Sequence, residues 1–178
     1  FVLLLEDLGD AEVHSQLDGC PVEVAEAAVR AIAGHHAEFW ESPLFTEELS
    51  WVPFGWDPPM PQGVQQGVST AWEPFLASFG DRVDDRIRAI GERFPLVVEE
   101  MMTFPERQTT LAHGDFRLDN LFFRPGSEGP EVVAIDWQIC VRTVGAYDLG
   151  YFLSQSLTTE DRLVDDEQLL DAYRDSLA

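Results

Sequence analysis

Leu111-Ala112-His113-Gly114-Asp115-Phe116-Arg117-Leu118-Asp119-Asn120 leads into the apolar run Leu121-Phe122-Phe123, a turn from Arg124 to Pro130, and then Glu131-Val132-Val133-Ala134-Ile135-Asp136. Two short β-rich runs around a Pro-, Gly- and Ser-containing turn predict a β-hairpin. A loop carrying His113, Asp115 and Asn120 precedes the hairpin, and its second strand ends in an acid. This order predicts that the hairpin brings Asn120 and Asp136 to one side of a cleft, next to Asp115.

The residue types fit one chemistry. Asp115 and Asn120 keep the separation of the phosphotransfer loop H-R-D-x-x-x-x-N, which is followed by an aspartate on a later strand end. Such a reaction needs a group that orients the attacking hydroxyl and takes its proton, and Asp115 on a rigid loop can do so. Magnesium prefers hard oxygen ligands in octahedral geometry, few of them from protein. The amide oxygen of Asn120 and the carboxylate of Asp136 are ligands of that kind. The tripeptide His-Gly-Asp alone is a weak signal, because Asp and Asn in loops commonly cap helices or turns. The specificity lies in the whole set: tripeptide, spaced Asn, apolar run, turn and strand ending in Asp.

Outward from this centre the chain reads as mostly helical. Upstream, Pro21 begins a helix with Glu23 and Glu26 in its first turns. Its apolar face is Val24, Ala27, Ala28, Ala31, Ile32, His35 and Phe39, and it ends near Trp40 or Glu41. Residues 42–67 hold most of the prolines and glycines together with Trp51, Phe54 and Trp56, which predicts an ordered loop packed on the body. Trp51, Trp56 and Trp72 either pack that loop or line a substrate pocket. Helical pattern resumes over 68–79 and 82–102, with a break expected at Pro95. Downstream, 147–157 and 166–177 read as helices. Phe1-Val2-Leu3-Leu4-Leu5 reads as a buried strand closed by Glu6 to Asp10.

The 178 residues suit one domain or a large piece of one, and 45% hydrophobic content supports a sizeable core. No apolar run is long enough for a membrane helix. The formal charge of −22 repels phosphate backbones and argues against nucleic acid as a partner. It fits either a cationic substrate or a general surface trait. All 11 basic residues are arginines. Cys20 and Cys140, far apart and without a CxxC pattern, fit reduced thiols in a cytoplasmic protein better than a disulfide. Adjacent His35 and His36 lack the i, i+4 spacing of a helical metal pair, so structural or surface roles are expected.

The stretch Leu111 to Leu121 resembles the catalytic loop of the aminoglycoside phosphotransferase and choline kinase-like superfamily, which has His-Gly-Asp at this point. Ala134-Ile135-Asp136-Trp137-Gln138 resembles that family's metal-binding strand end, in a form similar to the ecdysteroid kinase-like and related bacterial branches. Gly145 to Leu153 is similar to the Asp-Leu helix start that follows. Leu3 to Leu8 looks like the hinge that holds adenine, and Ile32 to Trp40 resembles the helix after it.

The resemblance implies an α+β, protein kinase-like fold. Residues 1–178 would be its mostly helical C-terminal, catalytic lobe with a hinge strand and catalytic β-hairpin, the N-terminal lobe missing and the C-terminus open to truncation as well. It implies an ATP-dependent transfer of the γ-phosphate to a hydroxyl of a small molecule, with Mg²⁺ as cofactor and this chain an inactive fragment on its own. Asp115 would be the catalytic base, Asn120 and Asp136 the metal ligands, and the backbone of Glu6, Asp7 and Leu8 the adenine hinge. His113 and Asp148 would support the loop, while Arg117 and Asp119 could pair, touch phosphate or face solvent. The alternatives are a non-catalytic pseudokinase-like binding module and a protein Ser/Thr kinase. Against the latter stand Gly114 in place of Arg and the lack of Ala-Pro-Glu after Asp136.

Overall fold

Small residues at helical spacing let α1 (Val22–Glu38) bury one face completely: Ala25, Ala28, Val29, Ile32, Ala33 and His36. In the computed structural model, which describes residues 2, 4–103, 108–127 and 129–178, α1 packs on α5 (Thr159–Leu177) through Leu169, Ala172 and Tyr173, and on α4 (Ala146–Ser156). These helices belong to one compact unit, Phe1–Val52 with Gln108–Ala178; Pro53–Arg107 form a second.

The first unit also holds four short strands. β1 (Thr110–Ala112) pairs antiparallel with β4 (Val141–Thr143), with Leu111 opposite Arg142. β2 (Leu121–Arg124) pairs antiparallel with β3 (Glu131–Ala134), with Phe122 opposite Val133. The second pair is the hairpin expected from the sequence, and its inward residues Leu121 and Phe123 join the α1–α4–α5 core. Phe116 and Leu118 enter the same core, and the Phe116 ring meets Phe152 of α4 at 5.4 Å between centroids. The loop between β1 and β2 is thereby pinned on its inner side by apolar burial, worth about 1.5–3 kcal/mol for a side chain such as Phe116.

Several expectations are corrected. The strand expected over the first five residues is not formed by Val2, Leu4 or Leu5, which are 87%, 90% and 80% exposed; Phe1 and Leu3 lie outside the described residues. A strand needs a neighbour for its backbone groups. The pairing that does occur comes later, as a bridge in which Glu12 and Phe123 exchange N–H···O bonds of 2.8 and 2.9 Å. Helix α5 begins seven positions earlier than Asp166, because the Thr158 hydroxyl caps it by accepting from the Asp161 N–H.

Within the second unit, α2 (Met60–Phe79) starts inside the stretch expected to be loop, with Pro61 in the first turn, where its missing N–H costs no hydrogen bond. Helix α3 (Asp85–Met102) starts where the Asp84 carboxylate accepts from the Ile87 N–H. It runs through Pro95 without the expected break. The two helices pack so closely at Gly91 that a β-carbon there would lie 2.0 Å from the Trp72 ring. Gln65 further ties α2 to the Pro95 carbonyl at 2.8 Å. This packing offsets the roughly 3 kcal/mol that an interior proline costs. Trp72 thus packs within its own helix pair, and Trp56 contacts Phe54 at 4.9 Å. Trp51, in the first unit, is 68% exposed.

Candidate active site

Gly114 has φ of +89°, and a β-carbon on it would stand 2.4 Å from the Ile139 carbonyl oxygen. Both facts demand glycine between His113 and Asp115. The loop main chain is then held from α4. Asp148, fully buried, accepts from the His113 N–H at 2.6 Å on Oδ2 and from the Gly114 N–H at 2.9 Å on Oδ1. Oδ2 also accepts from Nε2 of buried His36 at 3.2 Å, and Nδ1 of His36 receives the Tyr173 hydroxyl at 2.8 Å. Burial, helped by the Asp148 charge, pushes the Tyr173 phenol up to about 12, so it is the donor in this chain of bonds.

His113 is wholly buried. Its Nδ1 accepts from the Asp115 N–H at 3.2 Å, which leaves Nε2 as the atom donating to the Ile135 carbonyl at 2.8 Å. It therefore ties the loop to the strand end just before Asp136. Trp137 packs against it at a tilt of 55°, with ring centroids 4.5 Å apart, and against His35 at a tilt of 52° and 4.7 Å. The Trp137 indole N–H donates to the Ala134 carbonyl at 3.0 Å. His35 bonds the Leu111 carbonyl at 3.0 Å, so both adjacent histidines make structural contacts.

Asp115 is partly exposed and receives donors on both oxygens. Arg117 Nε lies 3.1 and 3.0 Å from Oδ1 and Oδ2, the Tyr151 hydroxyl 3.0 Å from Oδ1, and the Asn120 amide nitrogen 2.9 Å from Oδ2. Burial pushes the Asp115 carboxyl up, but the hydrogen bonds from Arg117, Tyr151 and Asn120, with the Arg117 charge, outweigh it and lower the carboxyl below its usual range. Arg117 pairs with both Asp115 and Asp119 and donates to Gln16 at 3.0 Å. The Gln16 N–H caps Asp119 at 3.1 Å, and its amide bonds Gln155 of α4.

Asn120 commits its amide nitrogen to the main-chain and side-chain oxygens of Asp115, both at 2.9 Å. That leaves its amide oxygen, which meets no donor among the described residues. The Ile135 N–H donates to the Asn120 carbonyl at 3.0 Å, which places Asp136 one residue from Asn120's neighbour across the hairpin. Asp136 is exposed and left-handed, with φ 65° and ψ 55°, a conformation uncommon outside glycine but tolerated by Asp. A free amide oxygen and an exposed carboxylate on one hairpin fit a hard divalent cation. Among the described residues no group of three or more His, Cys, Asp or Glu is arranged to hold a metal.

The expected hinge residues make their hydrogen bonds to other partners. Asp7 accepts from the Gly9 N–H at 3.0 Å, and the Leu8 carbonyl accepts from the Ala11 N–H at 3.2 Å. Glu6 pairs with Arg124 of β2 at 2.9 Å. Glu6, Asp7 and Leu8 make no hydrogen bond to Asp115, Asn120 or Asp136. The contacts of Tyr151 and Gln16 escaped the sequence reading, whereas the Arg117–Asp119 pair was one of its alternatives. Tyr151 had a usable signal, since it lies three residues after Asp148 on the same helix face; Gln16 had none.

The sequence model of the ecdysteroid kinase-like family matches residues 2–178. A crystal structure from Ralstonia eutropha JMP134, described as an aminoglycoside phosphotransferase, superposes with a TM-score of 0.57 at 17% identity, over 96% of this chain and 54% of that one. The two share a kinase-like fold of mixed helices and strands. Mouse acyl-CoA dehydrogenase family member 10 is 48% identical over 59 residues, which take in 29% of this chain and 5% of the mouse protein. Among the described residues no helix is long and apolar enough to cross a membrane.

Proposed function

The chain belongs to the ecdysteroid kinase-like family, and from that premise we propose that it is the catalytic, C-terminal lobe of a cytoplasmic ATP-dependent phosphotransferase acting on a hydroxyl of a small molecule. Its kinase-like phosphotransferase family and fold support the reaction class. The observation that carries the reading is the Asp115 carboxylate, held ionised and aimed by three donors on a loop whose backbone is bonded to buried Asp148.

In the proposed step the acceptor hydroxyl binds against Asp115. A bond forms between its oxygen and the γ-phosphorus, the bond from that phosphorus to the β,γ-bridging oxygen breaks, and ADP leaves. The hydroxyl proton passes to the Asp115 carboxylate. Mg²⁺ held by the Asn120 amide oxygen and Asp136 would offset the negative charge of the phosphates. Arg117, beside Asp115, adds a fixed positive charge on the same side. His113 and Asp148 keep the loop in register, so catalysis is mainly positioning and electrostatics. The backbone of Glu6, Asp7 and Leu8 is the proposed adenine contact.

The test is turnover of Mg·ATP by the intact protein with a panel of small hydroxyl compounds. Asp115→Ala should lower kcat by about 10²–10⁴-fold, the range of a general base. Turnover retained at the wild-type level would sink the assignment.

A further inference from the structure

One hydrogen bond to Asp115 differs from the others in origin. Arg117 and Asn120 reach it from within the same loop, two and five residues on; Tyr151 reaches it from α4. We propose that Tyr151 is a positioning residue that keeps the Asp115 carboxylate aimed at the acceptor once nucleotide and metal are bound. The inference rests on the phosphotransfer reading above.

Three observations lead there. First, Asn120 and Arg117 have competing partners in the loaded site. A cation on the Asn120 amide oxygen would make that amide serve two partners at once, the metal and Asp115. A terminal phosphate competes for the Arg117 guanidinium, which forms charge-assisted, paired hydrogen bonds with phosphate as readily as with carboxylate. The Tyr151 hydroxyl faces neither demand and stays on Oδ1. Second, Asp148 and Tyr151 lie three residues apart on α4, so one helix fixes both the loop backbone and the carboxylate orientation. The reference frame of the base is then a packed helix, not the loop itself. Third, the Tyr151 ring is supported in place. It lies parallel to Tyr147, with 4° between planes and 6.4 Å between centroids, and its neighbour Phe152 is fully buried. The Tyr151 hydroxyl thus fixes Oδ1 from α4, and Oδ2, which carries the loop donors Arg117 and Asn120, is the oxygen turned to the acceptor.

The experiment uses Tyr151→Phe, which keeps the ring and its stack and removes only the hydroxyl. In the intact protein, with Mg·ATP as the probe and water as acceptor where no other is known, kcat should fall about tenfold or more, with KM for Mg·ATP within twofold. Tyr147→Phe should leave both within twofold. A Tyr151→Phe enzyme with wild-type kcat overturns the proposal, as does a matched rise in KM that accounts for the whole loss. Independently of turnover, the ¹³Cζ resonance of Tyr151 in the Mg·ATP-loaded protein should shift on Asp115→Asn. An unmoved resonance means the contact is not kept and overturns it as well. If Asp115→Asn turns over like wild type, the phosphotransfer reading itself falls. If Asp115→Asn is dead and Tyr151→Phe is not, only the role of Tyr151 falls.

Discussion

Gly114 shows how a single residue type can be dictated twice over. Its φ of +89° excludes side chains on conformational grounds, and the Ile139 carbonyl excludes a β-carbon on contact grounds. Gly114→Ala should therefore destabilise the fold by at least about 2 kcal/mol, read as a lowered urea midpoint with little change in slope. A stability within 0.5 kcal/mol of wild type, on the order of a neutral surface substitution, would contradict the geometry. At this scale the sequence was most legible where chemistry is contiguous. That Asp115, Asn120 and the strand end before Asp136 come together was legible because their spacing along one loop and hairpin is short. The partners of Asp115 that come from elsewhere, Tyr151 and the Gln16 bracket on Arg117, follow from folding and left little or no local trace.

Elements were legible in proportion to how local their causes are. Helix α1 and the β2–β3 hairpin stand within a few residues of where the pattern puts them, but the buried face of α1 is turned from the expected one: Ala25, Val29, Ala33 and His36 are buried and Ala31 is exposed. The β1–β4 pair was not readable, since each strand has three residues and its partner lies 30 positions away. Val2, Leu4 and Leu5 form no strand, since apolar content alone supplies no pairing partner. The start of α5 was readable after all: Thr158 followed three residues later by Asp161 is a capping signature. Thr158→Ala should cost about 1 kcal/mol, measured by urea unfolding, and the loss should be recovered by Thr158→Ser. No loss with alanine would mean that the α1–α5 packing, not the cap, sets the helix start.

For the molecule as a whole, acidity sets the response to pH and salt. Glu41 is lowered below the usual range of 4.5 first by the Thr109 N–H and then by the Thr109 hydroxyl, both on its carboxylate. A carboxyl depressed on folding adds stability that is complete above its unfolded value and is lost as pH falls through its folded value. Wild type should thus exceed Glu41→Gln in stability near neutral pH, by on the order of 1 kcal/mol for a charge-assisted contact at an exposed position. The difference should shrink as pH falls below the ordinary carboxylate value and vanish below the lowered folded one. A gap that does not shrink on acidification would show that Glu41 acts through something other than its charge. Because the formal charge is −22, comparisons belong at fixed ionic strength, where screening of the general repulsion is constant.

The indole of Trp137 lies one residue past Asp136 and in tilted contact with the His113 and His35 rings. That placement makes it a built-in optical probe. Emission from an indole in contact with imidazoles responds to small changes in ring distance, so binding events at Asp136 should be visible without any label. Subtracting the spectrum of Trp137→Phe isolates its signal from those of the other four tryptophans. A titration followed in this way reports on the strand end and the His113 brace together, from inside the site.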